Sequence, residues 1–237
     1  MTTEVHGLEA FYGTAGGELA ARLVRDRLAR LWPRLPGMAV LGIGYAAPYL
    51  GLWRAEAGRC VALTTAHGTL TPWPAEPGAR SCLVAEEEAL PFADSSFDRI
   101  LLVHGLEAAD NARRLLREAW RVLRDDGRLV IVAPNRTGIW AHLERTPFGH
   151  GHPYSSGQLS RLLARHLFRV ERREAALFLP PLGLRYQRAA APSMERAGRA
   201  LCPRFAGVAI VEAEKDFFAA MPAGAVVARR RVVAAPA

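Results

Sequence analysis

Histidines and a tyrosine lie close together in the segment TPFGHGHPYS, residues 146–155 of the 237-residue chain. His150, His152 and Tyr154 follow one another at intervals of two residues, and the glycines beside them permit sharp turns. Imidazole titrates near neutral pH, so a histidine at this place could accept a proton from a bound substrate. We predict that His150, His152 and Tyr154 are catalytic. The alternative is that their side chains only fix the segment to the edge of a sheet.

The same pair of histidines could hold a metal ion together with His142 or His104, since imidazole nitrogens are ligands for zinc. No cysteine or carboxylate completes a known metal-binding spacing, and Cys60, Cys82 and Cys202 form no CxxC pair. The sequence also lacks GxSxG, HExxH and Walker-type motifs. We therefore predict no metal site, and no local arrangement supports hydrolysis by a Ser/His/Asp triad.

Polar residues also follow two apolar runs that are typical of strands. His104 ends the run RILLVH, and Asn135 follows RLVIVAP. Ligands of open α/β sheets bind beyond the carboxyl ends of the strands, so both side chains lie where a substrate would bind. The connection that begins at Asn135 has roughly 20 residues before the next helix, which exceeds usual loop lengths and favours a lid. We predict that Asn135, Arg136 and Trp140 bind the substrate.

Short, nearly continuous apolar runs recur along the chain and are typical of strands buried on both faces of a parallel sheet. They are residues 38–43, 59–64, 81–85, 99–104 and 128–134, with further strands expected over 168–177 and 207–215. Apolar residues at helical spacing predict helices over 17–31 and 110–124, the second closed by Gly127, and another that begins at Ser155 or Ser156. This alternation predicts a doubly wound α/β sandwich.

Two stretches resemble the class I S-adenosylmethionine-dependent methyltransferase family, of the type 11 kind. ALPFADSSFDRILLVHGLE (89–107) resembles the family's xLPF-x-x-x-S-F-D segment before strand four, and RRLLREAWRVLRDDGRLVIVAPN (113–135) resembles its LxExxRVLxPGG helix before strand five. The resemblance implies a seven-stranded, mostly parallel, Rossmann-like sheet whose last strand is antiparallel. Runs 38–43 and 99–104 are then parallel neighbours, and Trp120 is buried. It also implies an enzyme that transfers a methyl group from S-adenosyl-L-methionine.

The resemblance places the cofactor at the ends of the first four strands. The residues that it assigns to cofactor binding are Gly42, Gly44 and Ala46 in the strand-one turn, Thr64, Glu86, Glu87 and His104. Family members have acids after strands one and two, and this chain has none there. Each hydrogen bond to a charged partner is worth roughly 1.5–3 kcal/mol, so these losses would weaken cofactor binding. The alternative function is a methyltransferase-like scaffold that has lost the cofactor and acts through a protein or nucleic-acid partner.

Charge and hydropathy limit the partners and the cellular location that the protein can have. The chain has 31 Lys+Arg against 23 Asp+Glu and a net charge of +8, with Lys215 as its single lysine. Such a charge suits nucleic acid, but nothing else supports that partner, and we predict a small-molecule methyl acceptor with the oligomeric state open. The N-terminal residues lack an apolar run, and glycines and prolines interrupt the uncharged run 35–53. We therefore expect no signal peptide or membrane span and a cytoplasmic protein.

The length of the chain suits one sizeable core. We predict a single domain over residues 1–225, with an N-terminal helical extension over 1–34 and a lid-like insertion over 135–155. Residues 226–237 are expected to form a flexible tail.

Overall fold

One seven-stranded sheet forms the centre of the molecule. The computed structural model describes residues 3–65, 73, 81–143, 146–181 and 189–216. The strands are β1 (Ala39–Gly44), β2 (Arg59–Thr65), β3 (Cys82–Ala85), β4 (Phe97–Val103), β5 (Leu123–Pro134), β6 (Phe168–Ala176) and β7 (Val208–Lys215). Their order is β3-β2-β1-β4-β5-β7-β6. Neighbours among β1 to β5 run parallel, whereas β7 is antiparallel to both β5 and β6.

Helices connect most of the strands. They are α1 (Thr3–Tyr12), α2 (Ala15–Leu31), α3 (Ala47–Leu50), α4 (Ala112–Val122), α5 (Ser156–Arg165) and α6 (Ala191–Leu201), with short 3-10 turns at Ile139–His142, Pro147–Gly149 and Pro203–Phe205. Several helices begin where a side chain accepts a hydrogen bond from their first turn: Thr14 caps α2, Asn111 caps α4 and Ser155 caps α5. Such caps satisfy amide groups that have no partner inside the helix.

The sheet is covered on both faces, which explains why its central strands β1 and β4 are nearly continuous runs of apolar residues. Successive residues of a strand point to opposite faces, and Val40 and Leu41 of β1 accordingly belong to two different apolar clusters. Helices α2, α3 and α6 contribute to the cluster that contains Val40. Helices α4 and α5 contribute to the cluster that contains Leu41.

The predicted fold class is confirmed. Val40 pairs with Arg99 in a parallel ladder between β1 and β4, and the last strand, β7, is antiparallel. Trp120, which was predicted to be buried, is partly buried and packs against the cluster that contains Leu41. The Lys215 ammonium group lies 4.2 Å from the ring centroid, over one face of the ring.

The prediction that Gly127 ends the helix over 110–124 is wrong. Helix α4 ends at Val122, and β5 begins at once with Leu123, which pairs with Phe97. Leu123 is fully buried, so its place in the sheet overrides the helical spacing of the sequence. The register shifts between Phe97 and Arg99, and this irregularity takes up the extra residues, so that Gly127 lies inside the strand.

Two helices were not predicted as such. Helix α6 lies within residues 189–204, which the sequence marks only by alanine and proline, and Pro192 occupies its first turn. Helix α1 precedes the predicted helix in the N-terminal extension. In the part of the chain that the structure describes, no helix is both long enough and apolar enough to cross a membrane. The predicted tail 226–237 lies outside the described residues, and the domain boundaries remain predictions.

Candidate active site

The strand order reverses between β1 and β4, and the turn after β1 packs against the end of β4 at this point. The chain forms β1, β2 and β3 in one direction and then returns to the other side of β1 as β4. Gly44 has a φ of +76°, which favours glycine. A Cβ at this position would overlap the carbonyl oxygen of Val103, and the Tyr45 N–H donates to that oxygen at 2.7 Å. Gly44 therefore allows the turn after β1 to lie directly against the end of β4.

Gly42 and Ala46 have a packing role in the same turn. A Cβ on Gly42 would lie 2.7 Å from the Cβ of Ala46 and 2.8 Å from the side chain of Leu50. Ala46 itself is buried at the start of α3. Both residues, which the resemblance assigns to the cofactor, allow α3 to pack closely against β1.

A buried line of hydrogen bonds lies at the carboxyl end of β4. His104, the residue after β4, has a left-handed φ of +50° and is 6% exposed. Its Nε2 is 2.8 Å from the Tyr12 hydroxyl, and its Nδ1 is 2.8 Å from Oε1 of Glu107. The Tyr49 hydroxyl donates to the Tyr12 oxygen at 3.5 Å. We refer to Tyr12, His104 and Glu107 as the buried triad.

The partners of His104 set the direction of these hydrogen bonds. An ionised carboxylate only accepts, so Nδ1–H donates to Glu107 and Nε2 accepts from the Tyr12 hydroxyl. Burial raises the pKa of Tyr12 well above its usual value and raises the pKa of Tyr49 to about 12, so both phenols keep their protons at neutral pH. Tyr12 can therefore relay to His104 a proton that another group donates to its oxygen, with Glu107 stabilising the imidazolium.

The second carboxylate oxygen of Glu107 is buried without compensation. Oε2 has no hydrogen-bond partner among the described residues, and Glu107 is 4% exposed. Leaving such an oxygen unsatisfied costs about 1–3 kcal/mol, and more when the group is charged. A cavity of about 30 Å³ lies beside Glu107 and His104, with Leu8 and His150 in its wall. Glu107 thus offers a ligand one buried carboxylate oxygen that has no other partner among the described residues.

Aromatic rings from α1 and from residues 139–149 cover the triad. The Phe148 ring centroid lies 5.0 Å from that of His104, 5.8 Å from that of Phe11 and 5.0 Å from that of Trp140. Tyr12 stacks on Tyr45 at 5.0 Å. Apolar surroundings exclude water and strengthen the electrostatic interactions inside the triad.

A larger recess, of about 570 Å³, lies between the start of α2 and the turn after β1. Tyr12 and Tyr45 line it, together with the charged residues Glu18, Arg22 and Arg25. Arg25 Nη2 donates to the carbonyl oxygen of Pro48 at 2.8 Å, which holds α2 against α3. The recess places charges of both signs beside the tyrosine that ends the buried triad.

The predicted catalytic residues surround Glu107. His150 is exposed and lines the small cavity beside the Glu107 side chain. The His152 N–H donates to the carbonyl oxygen of Glu107 at 2.9 Å, while the His152 side chain is exposed. Tyr154 is half-buried, and its N–H donates to the carbonyl oxygen of Pro134. The structure brings this segment to the triad, and a catalytic role for its side chains stays a prediction.

The predicted substrate residues have separate surroundings. The Asn135 amide donates to the carbonyl oxygens of Arg204 and Ala206 at 2.9 and 2.8 Å, which fixes the loop after β5 to the segment before β7. Trp140 is 1% exposed, and its Nε1 donates to the carbonyl oxygen of Leu179 at 2.8 Å. Arg136 is exposed beside Tyr154. Of the three residues, only Arg136 can contact a ligand without loss of the hydrogen bonds that Asn135 and Trp140 make.

The remaining predicted cofactor residues follow β2 and β3. Thr64 is half-buried near the end of β2 and pairs with Val84 of β3. Glu86 is exposed, whereas Glu87 is buried and accepts the Asn111 N–H at 2.6 Å. Glu87 therefore fixes the start of α4, while Thr64 and Glu86 lie at the edge where the resemblance expects the cofactor. Their binding roles stay predictions.

Sequence reasoning did not identify Tyr12 or Glu107. Glu107 follows His104 by three residues inside a recognised motif, and that spacing was a usable signal. Tyr12 is 92 residues from His104, and only the tertiary fold brings them together. No group of three or more His, Cys, Asp or Glu side chains in the described ranges is arranged to hold a metal ion.

Comparison with known proteins shows which proteins share this fold. Residues 40–131 match a family model described as "Methyltransferase domain". A SAM-dependent methyltransferase from Thermotoga maritima, described as a possible histamine N-methyltransferase, has a similar fold with a TM-score of 0.62 and 17% identity. The similarity covers 91% of this chain and 98% of that one.

Curated relatives match over shorter stretches. An uncharacterized protein of Mycobacterium tuberculosis is 34% identical over 128 residues, which are 50% of this chain and 45% of that protein. The chain thus spans about half the length of this relative. A demethylmenaquinone methyltransferase of Thermus thermophilus is 29% identical over 168 residues, 70% of this chain and 68% of that protein.

The fold is that of SAM-dependent methyltransferases, and residues 40–131 match the methyltransferase domain. Proteins of this family and fold generally bind S-adenosyl-L-methionine.

Proposed function

We propose that the protein transfers a methyl group from S-adenosyl-L-methionine to a small-molecule acceptor. The buried triad carries the proposal, because it places a tyrosine, a histidine and a carboxylate in hydrogen-bonded sequence where the strand order reverses. Ligands of open α/β sheets bind at this point of reversal. The Thermus relative named as a methyltransferase supports the same reaction class.

The residues present fit the cofactor on two grounds. When bound, S-adenosyl-L-methionine supplies an electrophilic methyl group on a positively charged sulfonium, and Glu107 has a buried carboxylate oxygen with no partner among the described residues. The amino-acid part of the cofactor carries an ammonium and a carboxylate, and the recess offers Glu18 for the first and Arg22 for the second. Thr64 and Glu86 remain the residues expected to hold the adenosine part. Glu107 thus replaces part of the charge that the strand ends lack.

The triad explains how an acceptor would lose its proton. Tyr12 lines the recess and donates to Nε2 of His104. An acceptor O–H or N–H that donates to the Tyr12 oxygen would release its proton through that hydroxyl to Nε2, which leaves a lone pair on its heteroatom for the methyl group. Glu107 stabilises the imidazolium that results. General base catalysis of this kind typically contributes about 10²–10⁴-fold, and the alignment of the reactants contributes the rest.

Calorimetry on the purified chain tests the proposal. We expect S-adenosylhomocysteine to bind with micromolar or tighter affinity, and Arg22→Gln to weaken that affinity by about 10-fold because a charge-assisted hydrogen bond to the ligand carboxylate is lost. Arg30→Gln is the matched control, since Arg30 is an exposed arginine of α2 outside the recess. It should bind as the wild type does.

The alternative function is a scaffold that has lost the cofactor. It draws support from Gly42 and Gly44, because atoms of the chain itself occupy the space beside both glycines. On this alternative, neither S-adenosyl-L-methionine nor S-adenosylhomocysteine produces heat or a thermal shift at millimolar concentration. That result would contradict methyl transfer and favour the scaffold.

A further inference from the structure

A second concavity, of about 550 Å³, lies between α5 and residues 152–154. The guanidinium-bearing side chains of Arg136, Arg161 and Arg165 line it together with His152. Among the described residues, its lining includes no aspartate or glutamate. We refer to this feature as the arginine concavity.

None of the three arginines has an acidic partner among the described residues, in contrast to Arg121 and Arg124. Arg121 pairs with Glu118 at 2.7 Å, and Arg124 pairs with Asp98 at 2.6 Å. Within the described ranges, no ion pair involves Arg136, Arg161 or Arg165. Three like charges around one concavity repel one another, and an anion bound between them would relieve that repulsion.

The start of α5 adds to this positive potential. The backbone amides of its first turn, which includes Gln158 in the wall of the concavity, carry the positive end of the helix dipole.

We infer that the arginine concavity binds the anionic group of a small molecule, a phosphate or a carboxylate. Arginine matches both anions because its N–H groups can donate in parallel to two oxygens. Arg136 approaches from the loop after β5, whereas Arg161 and Arg165 approach from α5, one helical turn apart. Donors from two elements can contact one anion from different sides.

The distribution of charge favours a small molecule over nucleic acid. Nucleic-acid-binding surfaces present arginines in a stripe that follows the phosphate backbone. The arginines of the concavity instead approach one common space from two elements. Acids already pair with Arg121 and Arg124, which lie where α4 ends and β5 begins.

The site lies next to the buried triad without sharing its side chains. His152 lines the arginine concavity, and its N–H donates to the carbonyl oxygen of Glu107. The inference does not depend on methyl transfer, because anion binding here uses none of the residues of the triad or of the recess.

Calorimetry with pyrophosphate and citrate at low ionic strength tests the inference, with sodium chloride at matched ionic strength as the blank. We expect one site for at least one of the two anions, and the one that binds more tightly distinguishes phosphate from carboxylate recognition. The Arg161→Gln/Arg165→Gln variant should bind at least about 10-fold more weakly, because two charge-assisted contacts are lost. Arg136→Gln, on the opposite wall, should also weaken binding if the concavity holds the anion.

The matched control is Arg30→Gln/Arg117→Gln, which removes the same charge from exposed positions on α2 and α4 outside the concavity. It should keep the wild-type affinity within about twofold, because a distant exposed charge is screened. Equal losses in both double variants, or no binding of either anion to the wild type at millimolar concentration, would overturn the inference. So would binding of a single-stranded oligonucleotide alone that Arg161→Gln/Arg165→Gln abolishes, since the surface would then serve nucleic acid.

Discussion

At the scale of single residues, the two carboxylate oxygens of Glu107 have different surroundings. One carboxylate oxygen orients His104, and the other is buried without a partner among the described residues. Natural proteins satisfy most buried polar atoms, so an unsatisfied one at a ligand-binding edge indicates a ligand. S-adenosyl-L-methionine differs from S-adenosylhomocysteine in its methyl group and the positive charge on sulfur. A carboxylate that faces this charge should therefore distinguish the two molecules.

We predict that Glu107→Gln weakens binding of S-adenosyl-L-methionine by about 10- to 100-fold and binding of S-adenosylhomocysteine by less than about threefold. The range follows from roughly 1.5–3 kcal/mol for an interaction with a charged group. Calorimetry with both ligands measures the difference. The matched control, Glu174→Gln, removes an exposed carboxylate of β6 and should leave both affinities unchanged. Equal weakening of both ligands would show that Glu107 does not face the sulfonium.

At the scale of elements, α5 positions the arginines of the concavity and is fixed at its start by a capping box. The Ser155 hydroxyl accepts from the Gln158 N–H at 3.2 Å, and the Gln158 side chain accepts from the Ser155 N–H at 2.9 Å. The two bonds satisfy amides that otherwise have no partner at a helix start. Leu159 and Leu163 then bury one face of the helix against the sheet.

We predict that Ser155→Ala lowers the free energy of unfolding by about 1 kcal/mol, as loss of a helix cap typically does. Urea denaturation followed by circular dichroism measures the change. Ser156→Ala, at the adjacent exposed serine, should change stability by less than about 0.5 kcal/mol, because its side chain has no capping role. A similar loss in both variants would show that the cap does not stabilise α5.

At the scale of the whole molecule, a buried carboxyl group makes folding depend on pH. Glu195 of α6 is 3% exposed and accepts the Phe178 N–H at 2.6 Å. Burial raises the pKa of Glu195 from 4.5 to about 7. The folded protein therefore keeps a proton that the unfolded chain releases above pH 4.5. This contribution to stability is complete below pH 4.5 and is lost as pH rises through about 7.

We predict that the free energy of unfolding falls by up to about 3 kcal/mol between pH 4.5 and pH 8 through Glu195 alone. Glu195→Gln should remove this part of the pH dependence, since the amide does not ionise and can still accept from Phe178. Denaturation series at several pH values measure the slope for both proteins. Parallel pH profiles for the wild type and the variant would show that Glu195 titrates alike in the folded and unfolded states. Glu174→Gln is the exposed control and should keep the wild-type profile.

The fold class could be predicted from sequence because its signals are local. Strands buried on both faces are apolar throughout, and the two motifs at 89–107 and 113–135 carry their own spacing. Ser155 as the cap of α5 followed from the same kind of signal. Local signals failed where tertiary packing competed with them. Leu123, for example, lies near the end of the predicted helix but pairs with Phe97 in the sheet.

By itself, the sequence determined the strands, their alternation with helices and the end of β4 at which His104 lies. Only the tertiary structure decided which side chains contact His104 there. Tyr12 is 92 residues away in sequence, and its hydrogen bond to His104 corresponds to no periodic pattern in the sequence. The same holds for the arginine concavity, where Arg136 of one loop and two arginines of α5 face a common space. Spacing along a chain encodes which face of an element is buried, whereas a site is made by side chains from separate elements. Its geometry therefore exists only after the core has packed.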